Sequence, residues 1–210
     1  MSTALLQIEQ LSAPGMKMAM DWCLQAGQLW LLFGRSGSGK SQLLKAVADL
    51  IPHQGQVFLN GVEAAQIPAP LWRRQVMYFS AETAWWRETV ALHFRHPPSE
   101  QQLAILGLEP SVLTQPIEQL SSGQKQRLAL LRGLAWQPKV LLLDETSANL
   151  DPESTQRLEA LVKDYLEQQQ AAAIWISHDV AQQQRLGGSG FCRDLSPRES
   201  ALIAAAPSEF

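Results

Sequence analysis

A glycine-rich stretch of eight residues constrains the fold of this chain more than any other feature of the sequence. It reads Gly34-Arg35-Ser36-Gly37-Ser38-Gly39-Lys40-Ser41 and matches the pattern G-x-x-x-x-G-K-[ST] at every fixed position. An apolar run, Leu29–Phe33, precedes it, and a segment with apolar residues at helical spacing follows it. Strand, glycine loop and helix in this order are typical of a site for nucleotide phosphates.

The chemistry of this loop explains its composition. Glycines let several backbone N–H groups turn inward and surround phosphate oxygens, and the following helix adds partial positive charge at its N-terminus. Lys40 is predicted to reach the β- and γ-phosphates, and the Ser41 hydroxyl to ligate Mg²⁺. A glycine turn that matches by chance is the alternative, and the flanking strand and helix disfavour it.

Two carboxylates follow the apolar run at residues 140–143. Because unpaired charges at the end of a buried strand are costly, Asp144 and Glu145 need a partner such as a metal ion. Asp144 is predicted to hold Mg²⁺, directly or through water, and Glu145 to act as the general base that polarises the attacking water. The alternative is a helix N-cap followed by an acidic first turn.

A second loop, Leu120-Ser121-Ser122-Gly123-Gln124, opens another helical segment. Serine hydroxyls, backbone N–H groups and the helix dipole together make a second anion site. One nucleotide needs only one such cradle, so the second one suggests a nucleotide held by another copy of the chain. An ordinary serine cap is the alternative interpretation.

Strands and helices alternate after the glycine loop, which predicts a parallel sheet with helices on both faces and a phosphate site at the carboxyl ends of its strands. We expect one domain over residues 1–210, with a core at 1–81 and 120–190, a small proline-containing helical insertion at 82–119 and a tail at 191–210. Strands are predicted at 5–11, 18–24, 57–59, 76–79 and 172–176, helices at 40–50, 101–106 and 121–136, a short helical pattern at 90–94, helices starting near Pro152 and Asp179, and a loop at Pro68 and Pro70.

Composition and charge narrow the functional classes. The net charge of −3 disfavours nucleic acid as the main partner. Cys23 and Cys192 form no ligand-like cluster, which fits a reducing compartment, and Cys23 is expected to be buried. No apolar run is long enough to cross a bilayer and no signal peptide is expected, so work at a membrane would need an anchoring partner. The adjacent Trp85 and Trp86 are interpreted either as an exposed contact surface or as one buried and one half-exposed ring.

The chain resembles the ATP-binding subunit of an ABC transporter over nearly its whole length. Besides the phosphate loop, residues 120–124 (the signature segment below) resemble the family signature, leucine-serine-glycine-glycine-glutamine, and the acidic pair at 144–145 resembles the magnesium and catalytic pair. Ala148-Asn149-Leu150-Asp151 resembles the family's D-loop, and Ile176-Ser177-His178-Asp179 resembles its switch-histidine segment. These motifs occur in the family's order.

The resemblance implies a P-loop NTPase of the ABC type, with a mainly parallel core sheet flanked by helices, an antiparallel N-terminal β-subdomain and a small helical insertion. It implies a head-to-tail homodimer that holds two ATP molecules with Mg²⁺, each between one phosphate loop and the partner's signature segment. Lys40, Glu145 and His178 would be catalytic, with His178 bonding the γ-phosphate. Hydrolysis would power transport through an integral-membrane permease that contacts residues 81–94, with the protein cytoplasmic and peripheral on the inner face of the cell membrane.

The sequence departs from the family pattern at three positions. After the strand at 76–79 the family carries a glutamine that contacts Mg²⁺ and water; Ala81 occupies that position here, and we hypothesise that Glu82 or a bridging water takes its role. The aromatic residue that stacks on adenine is missing near Ser12 and Ala13, so modest ATP affinity is expected, because base stacking contributes about 1–3 kcal/mol. Ser122 replaces a glycine, which would strain the backbone if that position required a positive φ.

Finer features point to a subgroup of the family. Gln75-x-x-Tyr78, the segment from Pro138 to Glu145 and the short length are similar to small two-component transporters of the iron-export (FetAB-like) type, in which the membrane subunit chooses the substrate. Two alternatives stay open: a soluble ABC-type ATPase acting on nucleic acid or ribosomes, and a nucleotide-binding regulatory module with weak hydrolysis. A small-molecule kinase also uses a phosphate loop but would not need the signature segment or His178.

Overall fold

The computed structural model of the chain describes residues 4–187 and the backbone of residues 191–194. The predicted end of the core at 188–190 and residues 195–210 of the predicted tail lie outside the described residues. The division of the chain into core, helical insertion and tail stays a prediction.

The described residues form two sheets, with helices packed around them. The strands are β1 Leu6–Ser12, β2 Met20–Leu24, β3 Leu29–Phe33, β4 Gln54–Leu59, β5 Val62–Glu63, β6 Val76–Ser80, β7 Val140–Asp144, β8 Ala172–Ile176 and β9 Phe191–Asp194. The α-helices are α1 Lys40–Val47, α2 Ala69–Gln75, α3 Glu100–Ile105, α4 Ser122–Leu134, α5 Pro152–Gln169 and α6 Val180–Gly187. Short 3₁₀ turns occupy Ala64–Gln66, Ala91–His93, Pro110–Thr114 and Ile117–Gln119.

The larger sheet is parallel, with the strand order β6-β7-β8-β3-β9. Its central strands β7 and β8 are buried at every position. Strands covered on both faces need no alternation of polar and apolar residues, which is why both read as continuous apolar runs. The predicted parallel sheet with helices on both faces is confirmed.

The smaller sheet is antiparallel, with the strand order β2-β1-β4-β5, as predicted for the N-terminal part of the chain. Asn60 and Gly61 connect β4 to β5 with φ of 50° and 77°. Positive φ at both central residues is what a tight type I′ hairpin turn requires. The predicted turn at this dipeptide is therefore present.

Alternation along the parallel strands distributes their side chains between two cores. One face packs against α1, α2 and the antiparallel sheet through Leu32, Val76, Leu142 and Ile174. The other face packs against α3, α4 and α5 through Leu31, Phe79, Leu143 and Trp175. Because side chains two residues apart share a face, Asp144 at the end of β7 lies on the α1 side with Leu142. This parity decides which helix start the carboxylate can reach.

Two local expectations are wrong. Pro68 and Pro70 do not mark a plain loop: Pro68 is the N-cap of α2 and Pro70 lies in its first turn. A proline there has the φ that the helix needs, and its missing N–H is not required. The pattern at 90–94 forms only the 3₁₀ turn Ala91–His93, since so short a segment gains too few hydrogen bonds to offset the entropy of starting an α-helix.

Cys23 is exposed, which corrects the expectation of a buried thiol. It lies on β2, where the neighbouring Trp22 and Leu24 are buried and face the core. Side chains alternate along a strand, so burial of these two large residues turns Cys23 outward.

The ends of several elements differ from the predicted boundaries by a few residues. Helix α1 ends at Val47 rather than at 50, and Asp49 just beyond it has a left-handed φ of 55°. Residues Phe191–Asp194, which the sequence assigned to the tail, form β9 beside β3.

Within 4–187 and 191–194, no helix combines the length and the hydropathy required to cross a bilayer.

Gly133 of α4 packs against β6 so closely that a methyl group does not fit. A Cβ built on it would lie 2.2 Å from Phe79 Cε1 and 3.0 Å from Met77 Sδ. Overpacking costs about 1–3 kcal/mol, and the gain in helix propensity from glycine to alanine is about 1 kcal/mol. With an overlap this deep we expect Gly133→Ala to lower the free energy of unfolding by roughly 1 kcal/mol or more, measured by urea unfolding followed by circular dichroism.

The control for this prediction is the double variant Gly133→Ala with Phe79→Leu. The smaller leucine leaves room for the added methyl group, so the alanine should cost less in this background than alone. Purely additive free energies would contradict a direct contact between α4 and Phe79.

Candidate functional site

The phosphate loop, residues 34–41, follows β3 directly and leads into α1. Gly34, Gly37 and Gly39 have φ of 127°, 76° and 92°, a region that glycine adopts without strain. A Cβ on Gly39 would also lie 2.8 Å from the Gly15 carbonyl oxygen. The glycine spacing is therefore required by the curl of the loop and, at Gly39, by the close approach of the segment around Gly15.

Lys40, the first residue of α1, folds its side chain back into this loop. It is only 6% exposed, and its Nζ donates hydrogen bonds to the carbonyl oxygens of Gly34 at 2.9 Å and Arg35 at 3.1 Å. The ammonium group is held against the backbone of the loop. A phosphate entering the loop would meet a buried, ordered cation.

The two predicted magnesium ligands lie together. Ser41 Oγ donates a 3.0 Å hydrogen bond to Asp144 Oδ1. A hydroxyl and a carboxylate are hard oxygen ligands, and Mg²⁺ beside nucleotides takes one or two protein groups plus substrate phosphates. The pair therefore fits a magnesium ion shared with phosphates. Across the part of the chain that the structure describes, no group of three or more His, Cys, Asp or Glu side chains offers a different metal site.

Tyr78 of β6 is a site residue for which the sequence predicted no role. Its hydroxyl donates a 2.6 Å hydrogen bond to Asp144 Oδ2. Burial, followed by this hydrogen bond and the charge of Asp144, raises the pKa of Tyr78. The alternation of residues along the strand could have placed Tyr78 on one face of the sheet. Neither segment, however, contains a signal that predicts the pairing of β6 with β7, which brings Tyr78 to Asp144.

Glu145 and His178 face each other at the ends of the neighbouring strands β7 and β8. Glu145 Oε1 lies 3.3 Å from His178 Nε2, with the side chains 41% and 48% exposed. Glu145 has a φ of 53°, an uncommon conformation for a residue with a side chain and one that occurs at functional sites. Its N–H donates to the Ile176 carbonyl oxygen at 3.1 Å. The structure thus brings together two residues predicted from separate motifs.

A buried hydrogen bond ties the segments that carry these two residues. Ser147 lies between Glu145 and the D-loop, and its Oγ donates to Gln182 Oε1 at 2.8 Å. Gln182 is fully buried on α6, the helix that follows His178. The relative positions of Glu145 and His178 are therefore set by packing behind them as well as by their own contact.

The signature segment caps α4 with its own side chains. Ser121 Oγ accepts from the Gln124 N–H at 3.1 Å, and Gln124 Oε1 accepts from the Ser121 N–H at 2.9 Å, which is a capping box. Ser122 is the first helical residue, so the strain considered for a left-handed serine does not arise. A Cβ on Gly123 would lie 3.1 Å from Leu150 of the D-loop.

Gln126 of α4 connects position 81 with the acidic pair. It is 3% exposed, and its Nε2 donates at 3.4 Å to the backbone oxygens of both Ala81 and Glu145. Glu82 is exposed, and its proposed substitution for the family's glutamine stays a prediction. The sequence singled out neither Gln126 nor its amide, because the contact depends on how α4 lies on the sheet.

Trp85, Trp86, His93 and Arg132 form a tryptophan cluster beside a cavity of about 440 Å³ between β6 and α4. The Arg132 guanidinium lies 4.6 Å and 4.8 Å from the two tryptophan ring centroids. His93 Nε2 accepts from the Trp86 N–H at 2.9 Å and the Arg87 N–H at 2.8 Å, and burial lowers the pKa of His93. Trp85 is half-buried and Trp86 is 64% exposed. The cluster is therefore an ordered aromatic surface.

The family model described as "ABC transporter" matches residues 18–148, a span that contains the phosphate loop, the signature segment and the acidic pair. The chain belongs to the ABC transporter family. The predicted fold class, a P-loop NTPase of the ABC type, is confirmed, and the chain is an ATP-binding subunit of this family, whose domains bind ATP and generally hydrolyse it.

Relatives of this ABC subunit include transport proteins with different substrates. It is 35% identical over 172 residues to the "Probable iron export ATP-binding protein FetA" of Escherichia coli (strain K12), covering 76% of this chain and 76% of that protein. It is 38% identical over 167 residues to "Protein STAR1" of Oryza sativa subsp. japonica, covering 74% of this chain and 48% of that protein. Other relatives are named for sulfate/thiosulfate import, putrescine transport and bicarbonate transport.

A solved structure, a bacterial Atm1-family ABC exporter with ATP bound, shares the fold with a TM-score of 0.76 at 18% identity. The similarity covers 93% of this chain and 38% of the exporter chain. This ABC subunit thus spans less than half of the exporter and about half of STAR1.

The left-handed backbone at Glu145 predicts a stability difference between two variants that both lack the carboxylate. A left-handed φ costs a residue with a side chain roughly 1 kcal/mol. Glycine avoids this cost, but it loses more conformational entropy on folding than alanine does, which offsets part of the gain. We therefore expect Glu145→Gly to have a higher free energy of unfolding than Glu145→Ala, by less than about 1 kcal/mol. Urea unfolding of the two variants measures the difference. Gln137, exposed with a φ of 53°, provides the matched glycine and alanine pair away from the site. Equal midpoints at position 145, with a difference at 137, would mean that Glu145 is not strained.

Proposed function

We propose that this ABC subunit hydrolyses ATP to ADP and phosphate and drives transport through a separate integral-membrane permease, working on the inner face of the cell membrane. One observation carries the proposal. The phosphate loop, the acidic pair and His178 follow three neighbouring strands, β3, β7 and β8, and so open at one edge of the sheet. Ligands of parallel α/β sheets bind at this edge.

Each of these residues has a proposed role. Lys40 neutralises charge on the β- and γ-phosphates, while Ser41 and Asp144 hold Mg²⁺. The bound ion supplies further neutralisation of charge on the phosphate oxygens. Glu145 polarises the attacking water. His178, whose Nε2 lies 3.3 Å from the Glu145 carboxylate, hydrogen-bonds the γ-phosphate and holds that carboxylate in the orientation that faces the water.

The signature segment is proposed to bind the ATP of a second copy, in a head-to-tail homodimer. Its capping box pairs Ser121 with Gln124 at the N-terminus of α4. Other backbone N–H groups of the first helical turn remain available for an anion. Ser121 and Ser122 are exposed, as residues at an interface between copies must be in the single chain. A nucleotide held between two copies would give these N–H groups a ligand.

The tryptophan cluster is proposed to contact the permease. Its three aromatic residues lie within the predicted contact segment 81–94, and Arg132 belongs to α4, the helix that begins with the signature segment. Exposed Trp86, backed by the Arg132 guanidinium and beside an open cavity, provides an ordered apolar anchor of the kind that dominates protein interfaces. Export of a metal ion such as iron is the proposed transport process, because the E. coli relative is named for iron export.

Glu145→Gln should convert the protein into a stable ATP-bound dimer. The amide cannot act as a base, so ATP stays between the copies and continues to bridge them. Light scattering coupled to size-exclusion chromatography, with saturating Mg-ATP, should report a doubled mass for Glu145→Gln. The matched control is Glu167→Gln, an exposed residue on α5, which should behave like the parent chain. A monomer under these conditions would refute the shared-ATP arrangement.

Replacing both Trp85 and Trp86 by alanine should release the permease while ATP binding is kept. The change removes the aromatic anchor without touching the phosphate loop. Co-purification from detergent-solubilised membranes, with identification of the integral-membrane subunit, measures partner binding, and a fluorescent ATP analogue measures nucleotide binding. The control replaces two exposed apolar residues elsewhere, Val62 and Leu71, by alanine. Retention of the membrane subunit by the tryptophan variant would disprove the assigned surface.

Ala81 favours a second candidate function, a nucleotide-binding regulatory module with weak hydrolysis, because it supplies no side-chain amide at the family's glutamine position. Turnover separates the two candidates. A transporter subunit should hydrolyse ATP faster when its permease is present in lipid, whereas a regulatory module should show the same slow rate with and without it.

A further inference from the structure

We infer that Tyr78 is a positioning residue for the metal site: its hydroxyl holds the Asp144 carboxylate in the orientation in which that group takes Mg²⁺ beside Ser41. The inference rests on the proposed function, which assigns Ser41 and Asp144 to a magnesium ion shared with ATP. It gives a role to a residue that the sequence placed only in the subgroup pattern Gln75-x-x-Tyr78, outside the phosphate loop, the signature segment and the acidic pair.

Strand pairing places Tyr78 within reach of Asp144. β6 and β7 pair in parallel, with Tyr78 opposite Leu142 and Ser80 opposite Asp144. Side chains two residues apart share a face of the sheet, so Tyr78 and Asp144 both lie on the α1 side. Along the strands, Asp144 lies two residues beyond the position opposite Tyr78, and the long tyrosine side chain spans this offset. Helix α1, which carries Ser41, begins over this same face.

Each oxygen of the Asp144 carboxylate has its own partner. Oδ1 lies 3.0 Å from Ser41 Oγ, and Oδ2 lies 2.6 Å from the Tyr78 hydroxyl. Hydrogen bonds to an ionised acceptor are shorter and about twice as strong as neutral ones. Because Oδ2 is held from the strand side, Oδ1 stays directed at Ser41. The two oxygens proposed to bind the metal ion, Asp144 Oδ1 and Ser41 Oγ, are therefore already side by side in this structure.

A purely structural role for Tyr78 predicts a different result. Its ring packs against the core beneath α1, and phenylalanine keeps that packing, so Tyr78→Phe removes the hydroxyl alone. Tyr165 is the matched control, since its hydroxyl donates a 2.7 Å hydrogen bond to the Pro138 carbonyl oxygen and its ring packs in the core on the opposite face of the sheet. The chain contains two tyrosines, so these variants cover both.

The test measures metal binding in full-length chains that cannot turn over. Tyr78→Phe and Tyr165→Phe are each made in the Glu145→Gln chain, loaded with ATP and titrated with Mn²⁺, with free Mn²⁺ read by electron paramagnetic resonance. Residues that orient a metal ligand are worth about tenfold or more in metal affinity. Tyr78→Phe should therefore raise the Mn²⁺ dissociation constant about tenfold, with ATP binding in EDTA unchanged and Tyr165→Phe within about twofold of the parent.

Failure of this inference and failure of the proposed metal site give different Mn²⁺ titrations. A Tyr78→Phe chain that binds Mn²⁺ as tightly as Tyr165→Phe, or more tightly, overturns the inference and leaves the proposed function intact. A parent chain that binds ATP but takes up no Mn²⁺ refutes the assignment of the metal site, and the inference fails with it.

A second measurement decides the matter even if Tyr78→Phe does not fold. Protein labelled with carbon-13 at tyrosine Cζ gives two signals, which Tyr165→Phe assigns. Asp144→Asn replaces the charged acceptor by a neutral amide, so it should move the Tyr78 signal and leave that of Tyr165 in place. A Tyr78 signal that does not move shows that its hydroxyl is not held by the carboxylate.

Discussion

The contact between Ser41 and Asp144 is the constraint on which the rest of the site depends. It joins the start of α1 to the end of β7 across 103 positions of sequence, so it forms only when β3, β8 and β7 lie side by side. One such hydrogen bond contributes about 1 kcal/mol net, whereas full burial of a single leucine side chain contributes about 1.5–3 kcal/mol. The apolar strands therefore hold the sheet together, and the polar contact sets where its functional groups meet.

Helix α4 connects the predicted nucleotide surface with the predicted permease surface. It begins with the signature segment, and Gln126 in its second turn donates to the Ala81 and Glu145 backbone oxygens. Further along, Arg132 lies over the tryptophan rings, and Gly133 packs on β6 without space for a methyl group. Under the proposed function, a shift of this one helix would move both surfaces and the Glu145 segment together, because tight packing transmits displacement.

Much of the fold could be predicted from the sequence because its signals are local. The glycine loop, the apolar runs of β7 and β8, and the Asn60-Gly61 turn are set by residues close to one another in the chain, and all are present. Expectations failed where one local pattern fits two structures. Two prolines suit a loop or the first turn of a helix, and Cys23 suits either face of a strand until the packing of Trp22 decides it.

The sequence by itself determined the family, the phosphate loop, the acidic pair and the order of strands and helices, because glycine conformation, helix capping and apolar periodicity act over a few residues. Tertiary structure alone decided which groups meet: Tyr78 with Asp144, Glu145 with His178, and Gln126 with Ala81. The physical reason is that parallel strands pair across long connections, and apolar runs such as β7 and β8 would satisfy many strand orders equally well. Burial of all the helices and strands together selects one order, and that order places the side chains of the site.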